Sequence, residues 1–219
     1  MKKFNALEGI RVFAFLNVFW LHVSIFRVTK YYQSAAWAVS FFFILGGFLY
    51  GYKLSDKKLK LFDTVSFTCK KIRKFWPLHF FTTILMLGYS GIFVKTVKEL
   101  WEEGFIKKLF YNLSLLMSWS QNSDIFYSFT GVAWYLSDLM FLTLLTIPIM
   151  ILVNKYINNI GRLFVVLFII ILCAYLYFKI VVGFSSNLTY WLYIFPPCRL
   201  FEYISGILVG RLLYLIAPP

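Results

Sequence analysis

From Ala36 to Tyr52 seventeen consecutive residues carry no formal charge, and from Leu163 to Phe178 another sixteen do the same. Runs of this length, apolar on every face, are not the amphipathic helices of a soluble domain, which keep a polar stripe for water. They match the roughly 20 residues that a helix rising 1.5 Å per residue needs to cross about 30 Å of hydrocarbon. The composition agrees. Of 219 residues, 61% are hydrophobic and 14% charged, against about a quarter charged in ordinary soluble domains. A soluble enzyme and a disordered chain are both excluded. The three cysteines, Cys69, Cys173 and Cys198, show no metal or redox spacing, and no metal is expected.

Six runs have the size and boundaries of spans: Ile10 to Phe26, Ala36 to Tyr52, Phe75 to Val94, Val132 to Val153, Leu163 to Val182, and Trp191 to Ile216. The stretch from Leu100 to Trp119 carries charge at its start and middle and reads as an amphipathic helix in the interface. The expected fold is all-α, a polytopic transmembrane helix bundle of about six spans plus that one interfacial helix. A single integral membrane domain covers residues 1–219. The first run is not a cleaved leader, because it lacks a small-residue cleavage site and contains Arg11. No internal repeat is evident.

The net charge of +13 would suit nucleic acid if it lay along one stripe, but Lys and Arg fall between the apolar runs, and no nucleic acid is expected. Lys53, Lys57, Lys58, Lys60, Lys70, Lys71, Arg73 and Lys74 crowd the loop after the second run. The excess of cationic residues in cytoplasmic loops then puts this loop and the N-terminus in the cytoplasm. The expected location is the plasma (inner) membrane, crossed several times, with membrane lipid as the surrounding partner.

Ionisable residues at membrane depth are costly and mark sites by default. They are Arg11, His22, His79, Asp138, Lys179, Arg199 and Glu202. His22 returns to within roughly 20° of the face of Arg11, some 16 Å along the same helix. With alternating topology Asp138 and Arg199 sit at about the depth of His22, roughly 9 to 12 Å below the outer boundary. Arg199 and Glu202, three apart, share a helical face and can pair or bracket a polar group. A histidine oriented by Asp138 or Glu202 is a candidate general base. His79 reads as an interfacial polar residue and Lys179 as a snorkelling one. Lys71 and Lys74 face together at the mouth of the third helix, a basic cluster dense enough to grip phosphates.

Several stretches together resemble the membrane acyltransferase family 3. Leu7-Glu8-Gly9-Ile10-Arg11 followed by His22 is similar to that family's L-D-G-L-R and downstream His. Phe41 to Leu49 resembles F-F-F-V-L-S-G-F-L, Lys71 to Pro77 resembles R-x-x-R-I-x-P, and Trp134-Tyr135-Leu136-Ser137 resembles W-x-L-S. Arg199 to Gly206 is similar to R-x-x-E-F-x-x-G. Glu8 stands for the usual Asp, Gly46 for a Ser, and Lys71 and Lys74 for an arginine pair, which supplies point charge without a bidentate fork.

The resemblance implies an O-acyltransferase that moves an acetyl (acyl) group from cytosolic acetyl-CoA to a hydroxyl of a cell-surface polysaccharide or related glycan. It makes His22 the base or acyl carrier and Arg11 its companion, with Glu202 in the catalytic set. Lys71, Lys74 and Arg73 would meet the CoA donor. Arg199, Trp134, Ser137 and Asp138 would line the acceptor site. It also implies the N-terminal two-thirds of such an enzyme, with a homo-oligomer, or C-terminal helices from a second polypeptide, as further partners. A transporter or export subunit for a polysaccharide or sugar precursor uses similar buried charges, and an inactive, shortened acyltransferase is the third reading.

Overall fold

The computed structural model describes residues 5–22, 36–55, 57–89 and 104–218. Among them the chain is all-helical. Its elements are α1 (Asn5–His22), α2 (Ala36–Lys53), α3 (Asp63–Tyr89), α4 (Phe105–Leu113), a 3-10 turn at Met117–Trp119, α5 (Ser123–Phe126), α6 (Trp134–Tyr156) and α7 (Ile160–Phe184). A π-helical turn at Tyr190–Ile194, a 3-10 turn at Pro196–Cys198 and α8 (Arg199–Ile216) follow. By length and composition α2, α6 and α7 can each cross a membrane. The chain is a membrane protein.

Three elements depart from the sequence expectation. The expected span Trp191 to Ile216 is broken, and α8 begins only at Arg199. Pro196 and Pro197 both lack an N–H, and proline pushes the residue before it out of the helical region; Phe195 is extended at φ −67°, ψ 120°. The third helix starts at Asp63, twelve residues ahead of the expected Phe75, and runs through its lysines. Charge bars those turns from hydrocarbon but not from being helical. Of the expected amphipathic stretch, whose residues 100–103 lie outside the described residues, the α-helix covers Phe105–Leu113, and Leu115, at φ 57°, turns the chain away.

The chain forms two compact units. In the first, made of residues 1–58, 149–173 and 201–219, α1 packs on α2 with the rings of Phe13 and Trp37 6.1 Å apart. α2 and the part of α8 in this unit approach until backbone meets backbone. A Cβ on Gly47 would collide with the carbonyl of Tyr203, on Gly51 with that of Ile207, on Gly206 with that of Ile44, and on Gly210 with that of Phe48. Gly47-x-x-x-Gly51 therefore faces Gly206-x-x-x-Gly210, the small-residue spacing by which apolar helices pack closely in lipid.

At one end of this unit Arg211, only 6% exposed, holds two helix ends. Its Nε donates to the Ile157 carbonyl just past α6, and its Nη1 to the Ser55 carbonyl just past α2, each at 3.0 Å. These carbonyls lack partners inside their helices and carry the negative end of the helix dipole. Asn154 adds a bond from Nδ2 to the Leu54 carbonyl at 2.9 Å.

The second unit comprises residues 59–148 and 174–200. Here α3 is pinned to α4. Trp76 Nε1 donates to the Leu113 carbonyl and His79 Nε2 to the Asn112 carbonyl, both at 3.1 Å. Thr83 Oγ1 lies 3.0 Å from Asn112 Oδ1. His79 is 3% exposed: it is a buried tie between helices, and with Nε2 donating its proton sits on that nitrogen.

Candidate active site

In the first unit the candidate residues sit on α1, α2 and α8. Arg11 is exposed, and its Nη1 lies 3.0 Å from Glu8 Oε1, an ion pair one turn apart. His22 closes α1 as its last residue and is exposed. Ser40 Oγ on α2 donates to Glu202 Oε1 on α8 at 2.7 Å, a charge-assisted bond that fixes one carboxylate oxygen. Ser40 escaped the sequence reading because a serine among phenylalanines carries no motif.

In the second unit the structure brings Arg199, Tyr193 and Trp134 together. Arg199 is 2% exposed. Its guanidinium carbon lies 4.4 Å from the centroid of the Tyr193 ring and 6.0 Å from that of Trp134, the geometry of a cation over aromatic faces. Nε and Nη2 both donate to the Tyr193 carbonyl, at 2.9 and 2.6 Å. The cause is local. Pro197, four residues on, has no N–H with which to continue the helical ladder, so the carbonyl takes its donors from Arg199 instead. The proline pair was the signal for this carbonyl.

Ser137 and Asp138, next to each other on the first turns of α6, are fully buried. Asp138 follows Trp134 by four residues and so shares its helical face. Tyr190, just before the break, is 1% exposed. Burial pushes its hydroxyl up to about 12, and the neighbouring Asp138 and then Cys198 add to the shift. Tyr190 is therefore a neutral hydroxyl at any physiological pH.

The basic group occupies α3. Lys71 is half-buried with its ammonium 5.5 Å from the Phe67 ring centroid, while Arg73 and Lys74 are exposed. Three cations within four residues suit an anion bearing several phosphates, held as point charges and one fork. Among the described residues no group of His, Cys, Asp and Glu could hold a metal ion.

Fold and site together define an all-helical membrane protein that buries an arginine–aromatic cluster and carries a cationic helix end. A family model described as an acyltransferase domain matches residues 4–218. The chain belongs to this family and is an acyltransferase. No curated protein and no solved structure matches it.

Proposed function

We propose that the protein is a membrane O-acyltransferase that carries acetyl from cytosolic acetyl-CoA to a hydroxyl of a cell-surface glycan. The observation that carries this reading is the acyltransferase-domain match over residues 4–218, and the stretches holding His22, Arg11, Arg199 and Glu202 resemble that family's motifs. In this reading α1, α3 and α8 join α2, α6 and α7 to make about six crossings, with the N-terminus cytoplasmic in the plasma (inner) membrane.

Lys71, Arg73 and Lys74 neutralise the donor's phosphates. Bound by them, acetyl-CoA supplies an activated acyl carbon. His22 accepts the acceptor's hydroxyl proton as that oxygen forms the new ester bond, the carbon–sulfur bond breaks, and the imidazolium returns the proton to the departing thiolate. Direct attack of this kind is favoured over an acyl group carried on His22, because one positioned base serves both proton transfers. Arg11 accompanies His22, and Glu202, held by Ser40, keeps a fixed charge in the catalytic set. Arg199, Trp134, Ser137 and Asp138 meet the acceptor, an aromatic ring and polar groups being the pairing that sugars require.

Membranes supplied with radiolabelled acetyl-CoA test this directly. Wild-type membranes should label a glycan and His22→Ala membranes should not. Label that survives the substitution sinks the role of His22, and label that never leaves the donor sinks the activity.

A further inference from the structure

α3 is 27 residues long, about 40 Å at 1.5 Å per residue, some 10 Å more than a hydrocarbon layer. The excess falls at its charged N-terminal end, where Lys70, Lys71, Arg73 and Lys74 keep the first turns out of hydrocarbon. Yet this polar end bears an apolar face. Leu61 is 68% exposed, Phe62 90% and Val65 65%, and Cys69, one turn beyond Val65, is exposed too. Phe62, Val65 and Cys69 recur at helical spacing along one side.

The turn that presents Phe62 is held by its own backbone. The Lys60 N–H donates to Asp63 Oδ2 at 2.9 Å. The Asp63 N–H returns to the Lys60 carbonyl at 2.9 Å, and the Thr64 N–H reaches the Leu61 carbonyl at 3.1 Å. Charge flanks the face. Residues 60–74 hold five basic side chains against one acidic, Asp63, and Lys60 and Lys70 are exposed on either side of the apolar group.

We propose that Lys60, Leu61, Phe62, Val65 and Lys70 form a docking surface for anionic phospholipid. The apolar side chains sit at the top of the acyl layer, and the two ammonium groups lie against headgroup phosphates. Bulk water would leave Phe62 uncovered, and full hydrocarbon would strand Lys60 and Asp63; the headgroup layer satisfies both, and its negative surface complements the lysines. The surface uses none of Lys71, Arg73 and Lys74, so it stands or falls apart from the acyl-transfer reading.

To test it, the full chain with Cys69→Ser and Cys173→Ser carries Phe62→Cys labelled with bimane, the buried Cys198 being left in place. It is placed in nanodiscs of brominated phosphatidylcholine, alone or mixed with brominated phosphatidylglycerol. Bromine should quench the bimane strongly in the anionic discs and weakly in the zwitterionic ones. Lys60→Gln and Lys70→Gln, both at exposed positions, should each raise the phosphatidylglycerol fraction needed for half-quenching about fivefold. Equal quenching in both lipids overturns the anionic assignment, and no quenching in either overturns docking on lipid. Release of quenching by CoA at fixed lipid composition would assign the face to a nucleotide instead.

Discussion

Ser40 on α2 and Glu202 on α8 lie 162 positions apart in the chain and are joined by a 2.7 Å hydrogen bond. The bond sits in the same helix pair whose glycines bring backbone against backbone. The position of a carboxylate on one helix is thus set by the packing of another.

Ser40→Ala should lower acyl transfer about tenfold, the loss of one hydrogen bond to a charged group, while Ser40→Thr, which keeps the hydroxyl, should retain most of it. The measurement is the initial rate of label transfer at saturating donor. Equal rates for Ala, Thr and wild type would remove Ser40 from any part in positioning Glu202.

Gly47→Ala and Gly206→Ala place a methyl group against a facing carbonyl and should each destabilise the protein by about 1–3 kcal/mol. Gly183, next to last in α7 with open space around it, makes the control: its change to Ala should be neutral or stabilising by up to about 1 kcal/mol. Thermal unfolding in detergent, compared across the three variants, decides the matter.

Arg199→Lys removes the double donation to the Tyr193 carbonyl and the planar stack on its ring. The exchange is not conservative at such a site, and a loss of about 2–3 kcal/mol is expected from the weakened charged hydrogen bonds. Stability of Arg199→Lys equal to wild type in a chemical-denaturation series would contradict it.

The Tyr190 hydroxyl, raised from 10.0 to about 12, holds its proton in the folded state after the unfolded chain has lost it. Its stabilising contribution is present below pH 10 and is lost as pH rises through about 12. Asp138→Asn should bring the phenol's titration to lower pH, since the neighbouring negative charge is removed. Phenolate absorbance, with Tyr190→Phe to identify the late-titrating signal, reads the shift.

Lys71→Ala with Lys74→Ala should raise the acetyl-CoA concentration needed for half-maximal transfer at least tenfold, taking about 1 kcal/mol per lost phosphate contact as an order of magnitude. Lys71→Arg with Lys74→Arg should restore it. An unchanged donor requirement would move the CoA phosphates elsewhere.

The spans were legible where nothing but burial in lipid decides them. α2 and α6 end within about three residues of their expected limits, because a long, mostly apolar run leaves the chain little choice. The family was legible for a different reason: short motifs from Leu7–Arg11 to Arg199–Gly206 follow one another in the order the resemblance requires, and the family model matches residues 4–218. Legibility failed where apolar content and backbone chemistry disagree. Residues 191–198 are apolar enough for a span, yet Pro196 and Pro197 cannot supply its hydrogen bonds. It failed again where a partner lies far away in sequence. Arg211 looks like a charge at a span's end, but its partners are the carbonyls of Ser55 and Ile157, which no local pattern announces. The glycine spacing of α2 and α8 was there to be read, but each pair alone does not name its mate.

The glycine contact also sets an order of events during synthesis. With 162 positions between Ser40 and Glu202, a ribosome adding roughly 5–20 residues per second needs about 8 to 30 s to deliver α8 after α2. Through that interval the face of Gly47 and Gly51 is covered by lipid tails. With α8 crossing the membrane as proposed, its arrival displaces lipid instead of water, so the pairing proceeds without the ordinary hydrophobic drive and rests on close packing alone. A bulkier residue at either glycine would then act first on assembly, leaving an α2 that is correctly inserted and waits for a neighbour it cannot receive.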